Sequence, residues 1–219
     1  VLGQGQSFIL RTTNGGTSWA PVTAPAGAKG LNGVHFPDAM TGYAVGGSLF
    51  GTDPTILKTV DGGATWSALS TTAKGALAGI HCSSASTCIA VGGNLSTMTA
   101  LILKTTDGGA TWTTFTPPAD TTNFLMGVHC VSPSVCHAAG TYSNVSVVLR
   151  TTDGGGAWNK VFHTSTTIGS MKGVQFLDPN IGYAVGVTRV EKTTNGAARN
   201  RHGPVDFFSM RGRRVSGTK

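Results

Sequence analysis

The chain has 219 residues, of which 11% are charged and 32 are glycine, a composition of tight turns and a packed core rather than of a solvated, disordered polymer. Its net charge of +7 is concentrated beyond Gly196, where six basic residues face Asp206 alone. The nearly neutral remainder has no basic stripe for a nucleic acid, and no apolar run approaches the ~20 residues of a membrane-crossing helix.

VLGQGQSFILRTT opens the chain midway through a unit, so strands B, C and D of a first blade are expected over 1–30, with an N-terminal part missing. The turn RTTNGGTSW occupies 11–19. In 31–76, LNGVHFPDAMTGYAVGG reads as strand, turn, strand, and a KTVDGGATW turn follows at 58–66. Short apolar runs bounded by Gly, Pro, Ser and Asp favour strands over helices. One unit is therefore strand A (GVHF), strand B (YAVGG), strand C (TILKT) and strand D (TWSAL).

The same order recurs over 77–124, with KTTDGGATW at 104–112, and over 125–170, with RTTDGGGAW at 150–158. A final partial unit over 171–196 ends in the decayed turn KTTNGAARN. Residues 197–219 carry neither alternation nor repeat and read as a basic, disordered tail. Trp19, Trp66, Trp112 and Trp158 lie 47, 46 and 46 residues apart, a period suited to a four-stranded propeller blade. The predicted fold is all-β: a β-propeller of four-stranded antiparallel blades, about five in number, either a ring or part of a larger propeller.

All four cysteines flank the A to B turn, as Cys82 with Cys88 and Cys130 with Cys136. Facing positions on antiparallel strands suit two disulfides, each inside one blade. Buried free thiols, or a metal site drawing on His81, His129 and His137, are the competing readings. Disulfides would imply an extracellular, periplasmic or cell-surface setting. Phe36 and Phe176, with Gly42 and Gly182, occupy the cysteine positions in the other units, which suggests an aromatic contact in place of the bridge.

TVDGGATW at 59–66 and TTDGGATW at 105–112 match Ser/Thr-x-Asp-x-Gly-x-Thr-Trp throughout. The chain thereby resembles the Asp-box, or bacterial neuraminidase repeat, propellers over residues 1–196. With GYAVG ahead of ILKT it is most similar to the photosystem II stability and assembly factor group and its secreted bacterial relatives. The resemblance implies a structural turn at the propeller rim. Asn14, Asp61, Asp107 and Asp153 would bind turn amides, and Trp19, Trp66, Trp112 and Trp158 would pack into their blades.

Two repeated sets are candidates for binding. His35, His81 and His129 share one position of strand A, with Gln175 in the next unit; they are either a half-ring for an anion or metal, or packed histidines. Arg11, Lys58, Lys104 and Arg150 precede the turns; they are either a basic ring for an acidic partner or side chains laid along their blades.

Sialidase-like chemistry needs paired acids or a Tyr nucleophile with an arginine cluster. Against that, Glu191 is the lone glutamate, three aspartates belong to the turns, and Tyr43, Tyr142 and Tyr183 have no acidic partner in the pattern. No catalytic residue, metal or cofactor is assigned. The sequence reads as a non-enzymatic, secreted or surface propeller that binds a protein or glycan. A glycoside hydrolase fragment and a photosystem assembly factor are the alternatives.

Overall fold

The computed structural model describes residues 7–50, 53–118, 124–142 and 145–188, and every element among them is a strand. The strands B and C expected at the two ends fall largely on residues 1–6 and 189–194, and the tail on 197–219. Those segments lie outside the described residues.

The first unit contributes β1 (Ile9–Arg11) and β2 (Ala20–Val22), paired antiparallel. Two complete antiparallel blades follow. The first is β3 (Leu31–His35), β4 (Gly42–Gly47), β5 (Pro54–Thr59) and β6 (Ser67–Leu69); the second is β7 (Ala76–Cys82), β8 (Cys88–Asn94), β9 (Thr99–Thr105) and β10 (Thr113–Phe115). The next sheet holds β11 (Phe124–Cys130), β12 (Cys136–Tyr142), β13 (Val145–Thr151), β14 (Asn159–Phe176) and β15 (Gly182–Thr188). The chain is thus an all-β propeller of four-stranded antiparallel blades with a partial blade at either end.

One boundary differs from the repeat pattern. The period separates strand D of one unit from strand A of the next, yet β14 runs through both without a break. Its first part pairs with β13 and Gly169–Phe176 pairs with β15. It closes one blade and opens the next.

Central strands are buried on both faces because neighbouring blades cover both. β4 is buried at every position, which explains why GYAVGG lacks a polar face. Among the described residues three layers of core lie between the blades. Tyr43, Val45 and Ile56 meet Leu77, Ile80 and Leu103. Ile89, Val91 and Ile102 meet Leu125, Val128 and Leu149, and Val148 meets Val174 and Phe176.

Every A strand carries a bulge beside a glycine, between Leu31 and Gly33, Leu77 and Gly79, Leu125 and Gly127, and Met171 and Gly173. The missing side chain lets A strands of successive blades touch. A Cβ at Gly33 would stand 3.0 Å from the Ala78 carbonyl, and one at Gly127 3.0 Å from the Gly173 Cα. Close approach along A gives the blades their wedge and places A residues of adjoining blades within reach of each other.

Cys82 is bonded to Cys88 and Cys130 to Cys136, across facing positions of β7 with β8 and β11 with β12. No described cysteine is free, so the thiol and Cys-metal alternatives fall away. In the flanking blades a ring fills the same place. A Cβ at Gly42 would stand 2.5 Å from the Phe36 ring, and one at Gly182 2.6 Å from that of Phe176.

Candidate functional site

The repeated turn between strands C and D is built from one carboxylate and one hydroxyl. Asp61 accepts from the Thr65 backbone N–H at 2.9 Å, from the Thr65 hydroxyl at 2.6 Å and from the Thr59 hydroxyl at 2.7 Å. Thr59 Oγ1 in turn accepts from the Gly63 N–H at 2.9 Å. Gly62 and Gly63 take φ of +67° and +82°, a conformation open to glycine at little cost. Asp107 repeats the pattern with Thr111 and Thr105, and Asp153 with Ala157, Gly156 and Thr151.

These bonds hold the Asp61 carboxyl well below the usual range and bring Asp107 to about 2, led in both by the threonine hydroxyl. Asn14 keeps the acceptor, taking the Ser18 N–H at 3.0 Å. The tryptophans differ in cover. Trp158 is buried, Trp66 meets Phe36 edge-on at 5.9 Å, and Trp19 is 58% exposed.

Of the basic residues ahead of the turns, Arg11 and Lys58 have their charged heads tied to backbone carbonyls. Each described pair reaches one blade forward. Arg11 Nε donates to the Gly62 carbonyl at 2.9 Å and Lys58 Nζ to that of Gly108 at 2.7 Å. Lys104 extends towards Gly154, where an added Cβ would stand 3.3 Å from its Nζ. Lys58 also lies over the Tyr43 ring, 5.5 Å from its centre.

The three strand-A histidines do come together. His35 and His81 have ring centres 4.4 Å apart, and His81 and His129 are 4.7 Å apart. Each Nδ1 accepts a backbone N–H from the A strand of the next blade: Cys82 onto His35 at 3.3 Å, Cys130 onto His81 at 3.4 Å and Phe176 onto His129 at 3.3 Å. An acceptor Nδ1 places the proton of the neutral ring on Nε2.

Burial lowers all three pKa values. Coulombic repulsion from His129 adds to it at His35, and repulsion from His35 and His129 adds to it at His81, which falls to about 4. With Nδ1 occupied and Nε2 protonated, neither nitrogen offers a metal a lone pair. The described residues hold no group of three or more His, Cys, Asp or Glu fit for a cation.

Three contacts of the same region are absent from the repeat pattern. Asn32 Nδ2 donates to the Leu77 carbonyl at 2.9 Å, capping the edge of the next A strand. The Tyr43 hydroxyl donates to the Ala85 carbonyl at 2.7 Å. His137 lies flat on Phe176, ring centres 3.5 Å apart. Burial, then Arg150 and His129, lower His137 to about 4. None repeats in all units, so periodicity could not reveal them.

A cavity of about 520 Å³ lies between β1–β2 and the second unit, with Phe8, Leu10, Arg11, Trp19, Phe36 and Trp66 in its walls. It opens where the first unit has only two described strands.

No family model matches the chain, and no curated protein matches it. Among solved structures it is similar to an ancestral GH74 enzyme, with a TM-score of 0.61 at 16% identity over 82% of this chain and 24% of that one. The GH74 enzyme of Niastella koreensis gives 0.51 at 18% identity over 72% of this chain and 26% of that one. YCF48 bound to D1 peptide gives 0.47 at 15% identity, over 82% and 68%. The chain thus spans about a quarter of the GH74 enzymes it matches. The likeness to those enzymes is one of fold: a β-propeller.

Proposed function

We propose that the chain is a non-enzymatic, secreted or cell-surface propeller whose Asp-box blades form a scaffold for binding a protein or glycan. The reading rests on the fate of its carboxylates. Asp61, Asp107 and Asp153 are bound within their turns. Asp38 accepts from the Met40 and Thr41 N–H groups, and Asp178 from those of Asn180 and Ile181. Asp53 pairs with Lys74 at 2.6 Å. No described acid is left to act as general acid or nucleophile beside a second one.

Asp120, Glu191 and Asp206 lie outside the described residues. The two disulfides support an oxidising compartment. In this reading the propeller is the domain of residues 1–196, and 197–219 are an appended basic tail.

The test is a panel of aryl glycosides and sialosides offered to the intact chain beside a glycan array and a pull-down from extracellular extract. Binding without turnover is expected. Turnover abolished by replacing one carboxylate would overturn the reading.

A further inference from the structure

We propose that Asn14 is a self-processing site: its side-chain amide cyclises onto the Gly15 backbone nitrogen, releases ammonia and hydrolyses to the aspartate that the other turns already carry.

The turn at 11–19 holds an amide where Asp61, Asp107 and Asp153 stand in theirs, yet it surrounds that amide with the donors that serve the carboxylates. Asn14 Oδ1 accepts from the Thr12 hydroxyl at 2.9 Å and from the Ser18 backbone N–H at 3.0 Å. Asp61 Oδ1 accepts from Thr59 and Thr65 in the same way. The second atom of the side chain runs the other way. Asn14 Nδ2 donates to Ser18 Oγ at 2.8 Å, whereas the Thr65 and Thr111 hydroxyls donate to Oδ2 of Asp61 and Asp107 at 2.6 Å. The first turn has the frame of a carboxylate site and contains the amide precursor.

The nucleophile is the next backbone nitrogen. Gly15 has no side chain to hinder ring formation, and its φ of +68° is one that glycine takes at little cost. In the other three turns the N–H at this position is engaged. Gly62 donates to the Met40 carbonyl at 2.9 Å, Gly108 to that of Ser86 at 2.9 Å and Gly154 to that of Ser134 at 2.8 Å. The Gly15 N–H has no such partner among the described residues. Asn14 and Gly15 are both exposed, so hydroxide can reach and remove that proton.

The resulting nitrogen anion adds to Asn14 Cγ, and the charge passes to Oδ1. The Thr12 O–H and the Ser18 N–H already point at that oxygen, at the distances of an oxyanion site. The Cγ–Nδ2 bond then breaks, and Nδ2 leaves as ammonia with a proton drawn from water through the Ser18 hydroxyl. Water next adds to Cγ of the cyclic imide and opens the Cγ–N bond. One proton returns to the Gly15 nitrogen, and the proton of the new carboxylic acid goes to the ammonia. The donors on Oδ1 favour this opening over attack at the backbone carbonyl, which would leave an isoaspartate. The carboxylate formed can then accept the Ser18 hydroxyl at Oδ2, as Asp61 and Asp107 accept theirs.

The chain carries its own comparison. Asn32 is also followed by a glycine, but it lies in β3 with Nδ2 held by the Leu77 carbonyl at 2.9 Å. No described donor reaches its Oδ1. The same dipeptide therefore stands in one place with the donors and in another without them.

The test incubates the intact chain in ordinary and in 18O water, at neutral and at mildly alkaline pH. Peptide mapping by mass spectrometry follows each asparagine and separates aspartate from isoaspartate. Asn14 is expected to lose its amide in the folded chain at least as fast as in the urea-unfolded chain, taking up one 18O, faster in alkali and with aspartate as the main product. Asn32 is expected to keep its amide until the chain unfolds. Ser18→Ala, which removes the proton relay, is expected to slow conversion at Asn14 by about ten-fold or more. Unchanged tryptophan fluorescence of that variant separates lost chemistry from lost fold.

An amide retained at Asn14 in the folded chain, or a conversion that quickens on unfolding, overturns the proposal. So does a rate that Ser18→Ala leaves intact. Equal loss at Asn14 and Asn32 in the folded chain overturns it as well, because the reaction would then follow the dipeptide and not the turn.

Discussion

Lys58 Nζ donates at 2.7 Å to the carbonyl of Gly108, fifty residues further along the chain and one blade away. The bond ties strand C of one blade to the turn of the next, and Arg11 makes the equivalent tie to Gly62. Lys58→Met keeps the apolar stem and removes the donor, so the expected loss is about 1–2 kcal/mol. Lys160→Met, on the exposed start of β14, is expected to stay within about 0.5 kcal/mol of the parent. Urea unfolding of the two variants measures the difference. Equal midpoints would mean that the charged head contributes nothing to blade stacking.

Each disulfide closes a short ring, its partners six positions apart in the sequence. Short rings remove little entropy from the unfolded chain, so each bridge is expected to contribute about 2 kcal/mol. Thiol titration of unfolded, unreduced protein should find no free cysteine. Replacing Cys82 and Cys88 together by serine should lower the urea midpoint without abolishing folding. Cys82→Phe with Cys88→Gly imports the Phe36 and Gly42 arrangement and should recover part of the loss.

The repeat period made the strands, the turns and the cysteine pairing legible, because each depends on residues a few positions apart. The direction in which a side chain crosses between blades is a property of the assembled stack. RTTNGGTSW and KTVDGGATW show that Arg11 and Lys58 are equivalent, but not that both reach forward to the next turn. Likewise the recurrence of His35, His81 and His129 could not distinguish a solvated ring from a ladder bonded to the backbone through Nδ1. β14 was hidden for a related reason. Its continuity is set by pairing with two partners, and nothing in residues 159–176 themselves marks where one blade ends.

Glycines of strand B are packed where no side chain fits. A Cβ at Gly92 would collide with the Ala76 carbonyl and stand 2.8 Å from the Leu77 Cα, both backbone atoms held in the sheet. Gly92→Ala is therefore expected to cost about 3 kcal/mol or more, since neither neighbour can rotate away. At Gly173 a Cβ meets only Val185 Cγ2, at 3.5 Å, and Gly173→Ala should change stability by less than about 0.5 kcal/mol. Thermal unfolding of the pair supplies the comparison, and similar melting temperatures would contradict the packing described for β8.

Acid should weaken the protein in two stages, because its histidines and its turn aspartates are perturbed in the same direction from different starting points. His35, His81, His129 and His137 have folded pKa values below the ordinary 6.5, with His81 and His137 near 4. The unfolded chain then binds more protons between about 6.5 and 4, so stability present above about 6.5 is lost as pH falls through that window. Protonation at Nδ1 also displaces the N–H groups of Cys82, Cys130 and Phe176 from the imidazoles. The turn carboxylates act lower. Asp107, near 2 in the folded chain, stabilises above its unfolded value of about 4 and loses that contribution as pH falls through its folded value. Urea midpoints measured from pH 8 to pH 2 should decline first between about 6.5 and 4 and again below about 4. H81Q should flatten the upper stage alone and Asp107→Asn the lower alone. A midpoint that stays level from pH 7 to pH 4.5 would be incompatible with Nδ1 acting as the acceptor that joins the blades.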